Sequence, residues 1–119
     1  MRQLEHELQK ACVNYFRYQY PKEMIFAIPN GGVRNKITAR KLKAEGVLAG
    51  VADIMIPIPK YSRDNRLDSA GLFLEMKVGY NKQTPSQKAF DKYVTRKGYH
   101  YRVIYTIEQF IAIVEAYMG

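Results

Sequence analysis

Residues 71–79 read Gly-Leu-Phe-Leu-Glu-Met-Lys-Val-Gly, an apolar run that a carboxylate and an ammonium interrupt. The alternation of a β-strand places Phe73, Glu75 and Lys77 on one face and the residues between them on the other. A buried charge is costly unless it is paired or bound to a metal. One face of this strand is therefore predicted to belong to the core and the other to a chemical site.

A second apolar segment, residues 46–59, precedes this strand and carries a single charge, that of Asp53. Its β-branched composition predicts another strand. The polar stretch 60–70 joins the two segments, which suits an antiparallel hairpin over 47–59 and 71–78 with a long loop. Pairing of these strands would bring Asp53 near Glu75 and Lys77.

Two carboxylates that share a site repel each other unless a cation neutralises them. Carboxylate oxygens are hard ligands that suit Mg²⁺ or Mn²⁺. The ammonium of Lys77 could then orient an attacking water, as phosphodiester hydrolysis requires. A structural ion pair of Lys77 with Glu75 or Asp53 at a half-exposed sheet edge would give the same pattern, and both interpretations stay open here.

The rest of the chain alternates between helical and extended patterns. Helices are predicted over 2–19, 38–45 and 85–97 and from 107 onward, and further strands over 24–28 and 99–105. Thr84, Pro85 and Gln87 form a capping-box start for the third helix. The order α-β-α-β-β-α-β-α predicts one α/β domain, residues 1–119, with a mixed sheet flanked by helices.

Composition narrows the class of partner. The formal net charge is +8, from 19 basic and 11 acidic residues, so a polyanionic partner is expected. No apolar run reaches the ~18 residues of a membrane span, and the N-terminus lacks the apolar region of a signal peptide. The single Cys12 excludes an internal disulfide. A cytoplasmic protein with no membrane partner is the expectation.

Basic side chains concentrate in two segments. The first segment contains no acidic residue. In the second, basic residues recur every four positions along a predicted helix. Each could be an ordinary solvated face, but beside a metal site both predict contact with a phosphate backbone. These candidate DNA-binding residues are Arg34, Lys36, Arg40, Lys41 and Lys43 in the first segment and Lys88, Lys92 and Arg96 in the second.

Five motifs occur in one order along almost the whole chain. They are Glu-x-x-Leu-Gln (Glu5, Leu8, Gln9), Ile-Pro-Asn-Gly-Gly (28–32), the segment 42–53 that ends in Asp53, the segment 71–77, and Pro-Ser-Gln (85–87). In this combination the chain resembles a small stand-alone VRR-NUC domain of the PD-(D/E)XK nuclease superfamily, whose restriction-endonuclease-like core would be its fold.

The resemblance implies roles for particular residues. Asp53, Glu75 and the backbone carbonyl of Met76 would bind the metal, and Lys77 would handle the attacking water. Glu5 would complete the metal environment, with Glu7 competing for that assignment, and Gln87 would support the site or serve only as a helix cap. Ala52 replaces the proline that often precedes the aspartate, and the Pro-Ser-Gln segment is one residue shorter than the common form.

The implied activity is that of a Mg²⁺- or Mn²⁺-dependent endonuclease selective for branched DNA such as four-way junctions. Stand-alone members of the resembled family resemble junction-resolving enzymes that act as homodimers, so a homodimer is expected. Such compact nucleases suit a phage or mobile element. The rival hypothesis is a basic module that binds DNA or RNA without chemistry, including a ribosome-associated protein. That hypothesis explains the charge but not the acids within apolar strands.

Overall fold

The computed structural model describes residues 2–29 and 36–119. In chain order its elements are α1 (Arg2–Gln19), β1 (Phe26–Ala27), α2 (Lys36–Ala44), β2 (Ile54–Ile56), β3 (Lys60–Tyr61), β4 (Leu67–Ser69), β5 (Leu72–Met76), α3 (Pro85–Arg96), β6 (His100–Ile104) and α4 (Ile107–Met118).

The main sheet has the order β1-β2-β5-β6. Strand β2 pairs antiparallel with both β1 and β5, whereas β6 runs parallel to β5. The predicted mixed sheet flanked by helices is confirmed. The central strand β5 is buried along its whole length, so both of its faces are covered.

Each face of the sheet packs its own apolar cluster, as the alternation within β5 predicts. Leu72, Leu74 and Met76 belong to the larger cluster, which includes side chains of α1 and α4. Phe73 belongs to a smaller cluster with Val94 and Phe90 of α3. Beyond Phe73, the α3 side of β5 carries Glu75 and Lys77, so the polar site borders the smaller cluster.

The helix predictions match closely. Thr84 caps α3, with both hydrogen bonds of the capping box to Gln87 present, and Thr106 caps α4. Gly46 and Gly98 follow α2 and α3 with φ of 104° and 95°, values that favour glycine. In the part of the chain that the structure describes, no helix is long and apolar enough to cross a membrane.

The strand boundaries of the sequence analysis were wrong in two places. Only Ile54–Ile56 of the segment 47–59 pairs with β5, and β1 covers only two of the residues 24–28. Before β2, Gly50 adopts a φ of 89° that ends extended structure. After β2, Pro57 and Pro59 lack the N–H that a sheet ladder requires.

The stretch 60–70 is not simply a loop, because β3 and β4 pair there as a separate two-stranded sheet. Within the residues that the structure describes, the order therefore has two more strands than predicted. Each of these strands has three residues or fewer, too few for a periodic pattern to be recognised. Residues 30–32 of the Ile-Pro-Asn-Gly-Gly motif, together with Arg34, lie outside the described residues.

Candidate active site

Asp53 is tied to the end of β5 by a hydrogen bond. Its Oδ2 atom accepts the backbone N–H of Met76 at 2.7 Å. The pairing of Ile54 with Leu74 places Asp53 beside that end of the strand, and its own backbone carbonyl accepts the N–H of Ile28 at 2.8 Å. The short antiparallel pair thus produces the juxtaposition that the two acid-bearing segments predict.

Glu75 is a buried carboxylate, only 1% exposed, whose two oxygens differ in their surroundings. Oε1 accepts a hydrogen bond from the Tyr101 hydroxyl. Oε2 lies 3.5 Å from the Nζ of Lys77, a charge–charge contact longer than an ordinary hydrogen bond. Oε2 has no hydrogen-bond partner, which is unusual for a buried polar atom.

Burial is the main cause that raises the pKa of Asp53, and nearby Glu5 raises it further. The Met76 N–H and the ammonium of Lys77 lower it. Burial likewise raises the pKa of Glu75, with Tyr101 and Lys77 acting against the rise and Asp53 adding to it. Asp53 therefore destabilises the charged form of Glu75, and Glu5 does the same to Asp53. The single positive charge of Lys77 does not balance these acidic side chains.

Glu5 is the acid of α1 that acts on this site. It lies half-buried in the first turn of the helix and raises the pKa of Asp53, whereas Glu7 is exposed. Of the two candidates, the structure brings Glu5 toward Asp53. Its role as a metal ligand stays a prediction.

Gln87 forms the cap of α3. Its side-chain Oε1 accepts the backbone N–H of Thr84 at 2.8 Å, and its own N–H donates to the Thr84 hydroxyl at 3.3 Å. The start of α3 also abuts the segment that leads to Asp53, because Gly50 packs against Ser86 and Gln87. A catalytic role for Gln87 stays a prediction alongside this capping role.

The donor chemistry of the site fits a hard divalent cation. Asp53 and Glu75 offer carboxylate oxygens, and Glu75 Oε2 is a buried acceptor without a hydrogen-bond donor. Within residues 2–29 and 36–119, no group of three or more His, Cys, Asp or Glu side chains is arranged to hold a metal. The ligand set with Glu5 and the Met76 carbonyl therefore stays a prediction.

The basic residues of α3 line a shallow groove. Its volume is about 310 Å³, and its walls are Gln83, Lys88, Asp91, Lys92, Thr95 and Arg96. On α2 the side chains of Arg40, Lys41 and Lys43 are exposed. Arg34 and the side chain of Lys36 lie outside the described part of the chain.

Three residues near the site carry no signal in the sequence. Tyr101 reaches Glu75 only because β6 pairs parallel with β5. Gln83 interacts with Tyr101, and Gly50 lets α3 approach the strand of Asp53. Each relationship depends on contacts between distant segments, which hydrophobic periodicity does not encode.

Comparison with known proteins supports the nuclease-domain family that the sequence motifs indicate. No protein-family model and no curated protein matches the chain significantly. A solved structure described as a VRR_NUC domain protein matches with a TM-score of 0.78 and 28% sequence identity, over 96% of this chain and 87% of that one. The fold is thus that of a nuclease-domain family. The match supports the placement of this chain in the VRR-NUC family and confirms the resemblance that its motifs indicate.

Proposed function

We propose that this protein is a divalent-metal-dependent endonuclease that hydrolyses phosphodiester bonds in branched DNA such as four-way junctions. The observation that carries the proposal is the buried Glu75 and the half-buried Asp53 beside Lys77, with Glu75 Oε2 left without a hydrogen-bond donor. A structural ion pair would need one carboxylate for Lys77, whereas Glu75 and Asp53 both interact with it. The VRR_NUC neighbour supports the same class of activity.

Asp53 and Glu75 would hold Mg²⁺ or Mn²⁺, with Glu5 and the carbonyl of Met76 as further ligands. When bound, the ion would neutralise the carboxylates and polarise a phosphate oxygen of the substrate. The ammonium of Lys77, 3.5 Å from Glu75, would orient the attacking water and stabilise the negative charge that develops on the phosphate. Gln87 would support the site from the start of α3.

The substrate would be held through its backbone. The α3 groove contributes Lys88, Lys92 and Arg96, and the basic residues of and before α2 would add further phosphate contacts. Such contacts position DNA without reading its sequence, which favours recognition of shape. Symmetric cleavage of a four-way junction requires two active sites, so we propose that the protein acts as a homodimer.

The test is cleavage of labelled duplex, flap and four-way-junction DNA with Mg²⁺, with Mn²⁺ and with a chelator. We expect metal-dependent cleavage of branched substrates. Asp53→Asn, Glu75→Gln and Lys77→Met should each lower the rate by roughly 100-fold or more while the affinity for DNA persists. Lys82→Met, at an exposed lysine five residues beyond Lys77, is the matched control.

The alternatives predict other outcomes. A non-catalytic binding module would bind these substrates but cut none of them under any metal condition. A structural ion pair would make Lys77→Met unfold, as seen by circular dichroism, rather than leave a folded and inactive protein. A single peak at monomer mass in light scattering, with junction cleavage intact, would contradict the homodimer.

A further inference from the structure

The hydroxyl of Tyr101 has a role at this site that none of the nuclease motifs indicates. Tyr101 aligns with Phe73 across the parallel β5–β6 pair, and its side chain is 6% exposed. Its ring lies 6.2 Å from that of Phe90 on α3, measured between centroids. From this packed position its hydroxyl donates to Glu75 Oε1.

This hydrogen bond makes the two oxygens of Glu75 inequivalent. A carboxylate without such a donor can exchange its oxygens by rotation about its last torsion angle, which is broad. With Oε1 held by Tyr101, Oε2 is fixed at 3.5 Å from Lys77 Nζ and has no hydrogen-bond partner. One defined oxygen is thereby presented to the charged side of the site.

Tyr101 also interacts with Gln83, which immediately precedes the cap of α3. Burial and the hydrogen bond to Glu75 raise the pKa of Tyr101, whereas the neighbouring side chain of Gln83 lowers it. The Nε2 of Gln83 also donates to Asp91 at 3.2 Å, and Asp91 accepts from the Thr95 hydroxyl at 3.0 Å. A continuous chain of side chains therefore runs from the α3 groove to Glu75.

We propose that Tyr101 is a positioning residue of the nuclease site, which fixes the orientation of Glu75 so that Oε2 is the oxygen offered to the divalent ion. The inference rests on the proposed function and deepens it. Hydrogen-bond partners that orient a ligand typically change metal affinity by about 10- to 100-fold when they are removed. Gln83 would act one step further out, by holding the Tyr101 hydroxyl.

The test compares Tyr101→Phe with Tyr105→Phe. Both substitutions remove only a hydroxyl, and that of Tyr105 donates to the backbone carbonyl of Asn81 at 2.8 Å. For each variant we would measure the affinity for Mn²⁺ alone from the electron paramagnetic resonance signal of the free ion, the metal-free melting temperature, and kcat and KM for junction DNA.

We expect Tyr101→Phe to weaken Mn²⁺ binding by about 10-fold or more and to lower kcat at a fixed Mn²⁺ concentration, with KM for DNA unchanged. Tyr105→Phe should change at most the melting temperature. Gln83→Met should weaken Mn²⁺ binding in the same direction by a smaller factor, and it provides the readout if Tyr101→Phe does not fold.

Wild-type Mn²⁺ affinity in folded Tyr101→Phe would overturn the inference and leave the nuclease function standing. If Tyr101→Phe does not fold, wild-type Mn²⁺ affinity in Gln83→Met would overturn the inference instead, again without affecting the nuclease function. A wild-type protein that binds no Mn²⁺ and cleaves no DNA would overturn the inference together with the proposed function. These outcomes separate a failure of the Tyr101 role from a failure of the proposed enzyme.

Discussion

Gly50 and Ser86 lie so close together that a β-carbon at residue 50 would stand 2.4 Å from the Ser86 carbonyl oxygen. This contact joins the segment that leads to Asp53 to the first turn of α3. The Ser86 atoms that such a β-carbon would meet belong to the backbone, so they could not move away as a flexible side chain could. The approach of α3 to the acidic site therefore depends on the absence of a side chain at residue 50.

Gly50→Ala is expected to destabilise the protein by about 2–4 kcal/mol, because the clash with Ser86 adds to the strain of a positive φ. Gly98→Ala is the matched control, since Gly98 also has a positive φ but open space around its β-carbon position. That change should cost about 1 kcal/mol. Urea unfolding of the two variants measures the difference, and equal losses would show that the contact with Ser86 contributes nothing.

The sequence predicts well those features that depend on neighbouring residues. The capping box of Thr84 and Gln87 and the alternation along β5 are local patterns, and both are present in the fold. The nearness of Asp53 to Glu75 could also be predicted, because charges within apolar strands must be paired or bound to a cation.

Features that depend on distant pairings could not be predicted. The hydrogen bond from Tyr101 to Glu75 requires the parallel register of β6 on β5. In the sequence, Tyr101 is only one of several tyrosines in a predicted strand, and nothing there distinguishes it. Val47 and Leu48 suggested a strand, yet Leu48 is 61% exposed. The β-propensity of Val47 and Leu48 favours a strand, but the positive φ of Gly50 turns the backbone away from extended structure.

Glu75→Gln is expected to lower the cleavage rate by roughly 100-fold or more and, in the absence of metal, to stabilise the protein by about 1 kcal/mol. The substitution removes a carboxylate whose charged form is destabilised by burial and by Asp53, and it keeps an acceptor for the Tyr101 hydroxyl. Lys77, which loses its partner Glu75, keeps its attraction to Asp53. Added Mg²⁺ should raise the melting temperature of the wild type more than that of the variant, because only the intact site gains free energy from the ion. Differential scanning calorimetry with and without Mg²⁺ measures both effects, and a lower metal-free melting temperature for Glu75→Gln would contradict the prediction.

Cys12 is predicted to be unreactive in the folded protein. It is fully buried, and burial raises the pKa of its thiol to about 12, whereas an unfolded chain has a cysteine pKa of about 8.5. Reaction with a disulfide reagent at pH 8 should therefore occur only at the rate of unfolding. Rapid labelling of the native protein would contradict this placement of α1.

The same thiol makes stability depend on alkaline pH. Because its pKa is higher in the folded state than in the unfolded state, the unfolded protein loses its thiol proton first as the pH rises above about 8.5. The stability associated with the protonated thiol is complete below that pH and decreases between it and about pH 12. Cys12→Ala should therefore lose less stability than the wild type between pH 8 and pH 10, as measured by urea unfolding at each pH.

Removal of the basic residues of the α3 groove is predicted to weaken DNA binding without affecting the fold. Lys88, Lys92 and Arg96 are exposed, so their replacement by alanine leaves no buried group unpaired. If each contacts a phosphate, the slope of log affinity against log salt concentration should fall by about 0.9 per residue, or up to about 3 for the triple variant. Fluorescence anisotropy with junction DNA at several salt concentrations gives this slope.

The control carries Lys10→Ala, Arg17→Ala and Lys22→Ala, which remove the same charge. Lys10 and Arg17 belong to α1 and Lys22 follows it, and α1 packs on the opposite face of the sheet from α3. If the groove binds the phosphate backbone, only the α3 variant should show the reduced slope. Equal reductions in both variants would mean that net charge, rather than the α3 groove, attracts the DNA.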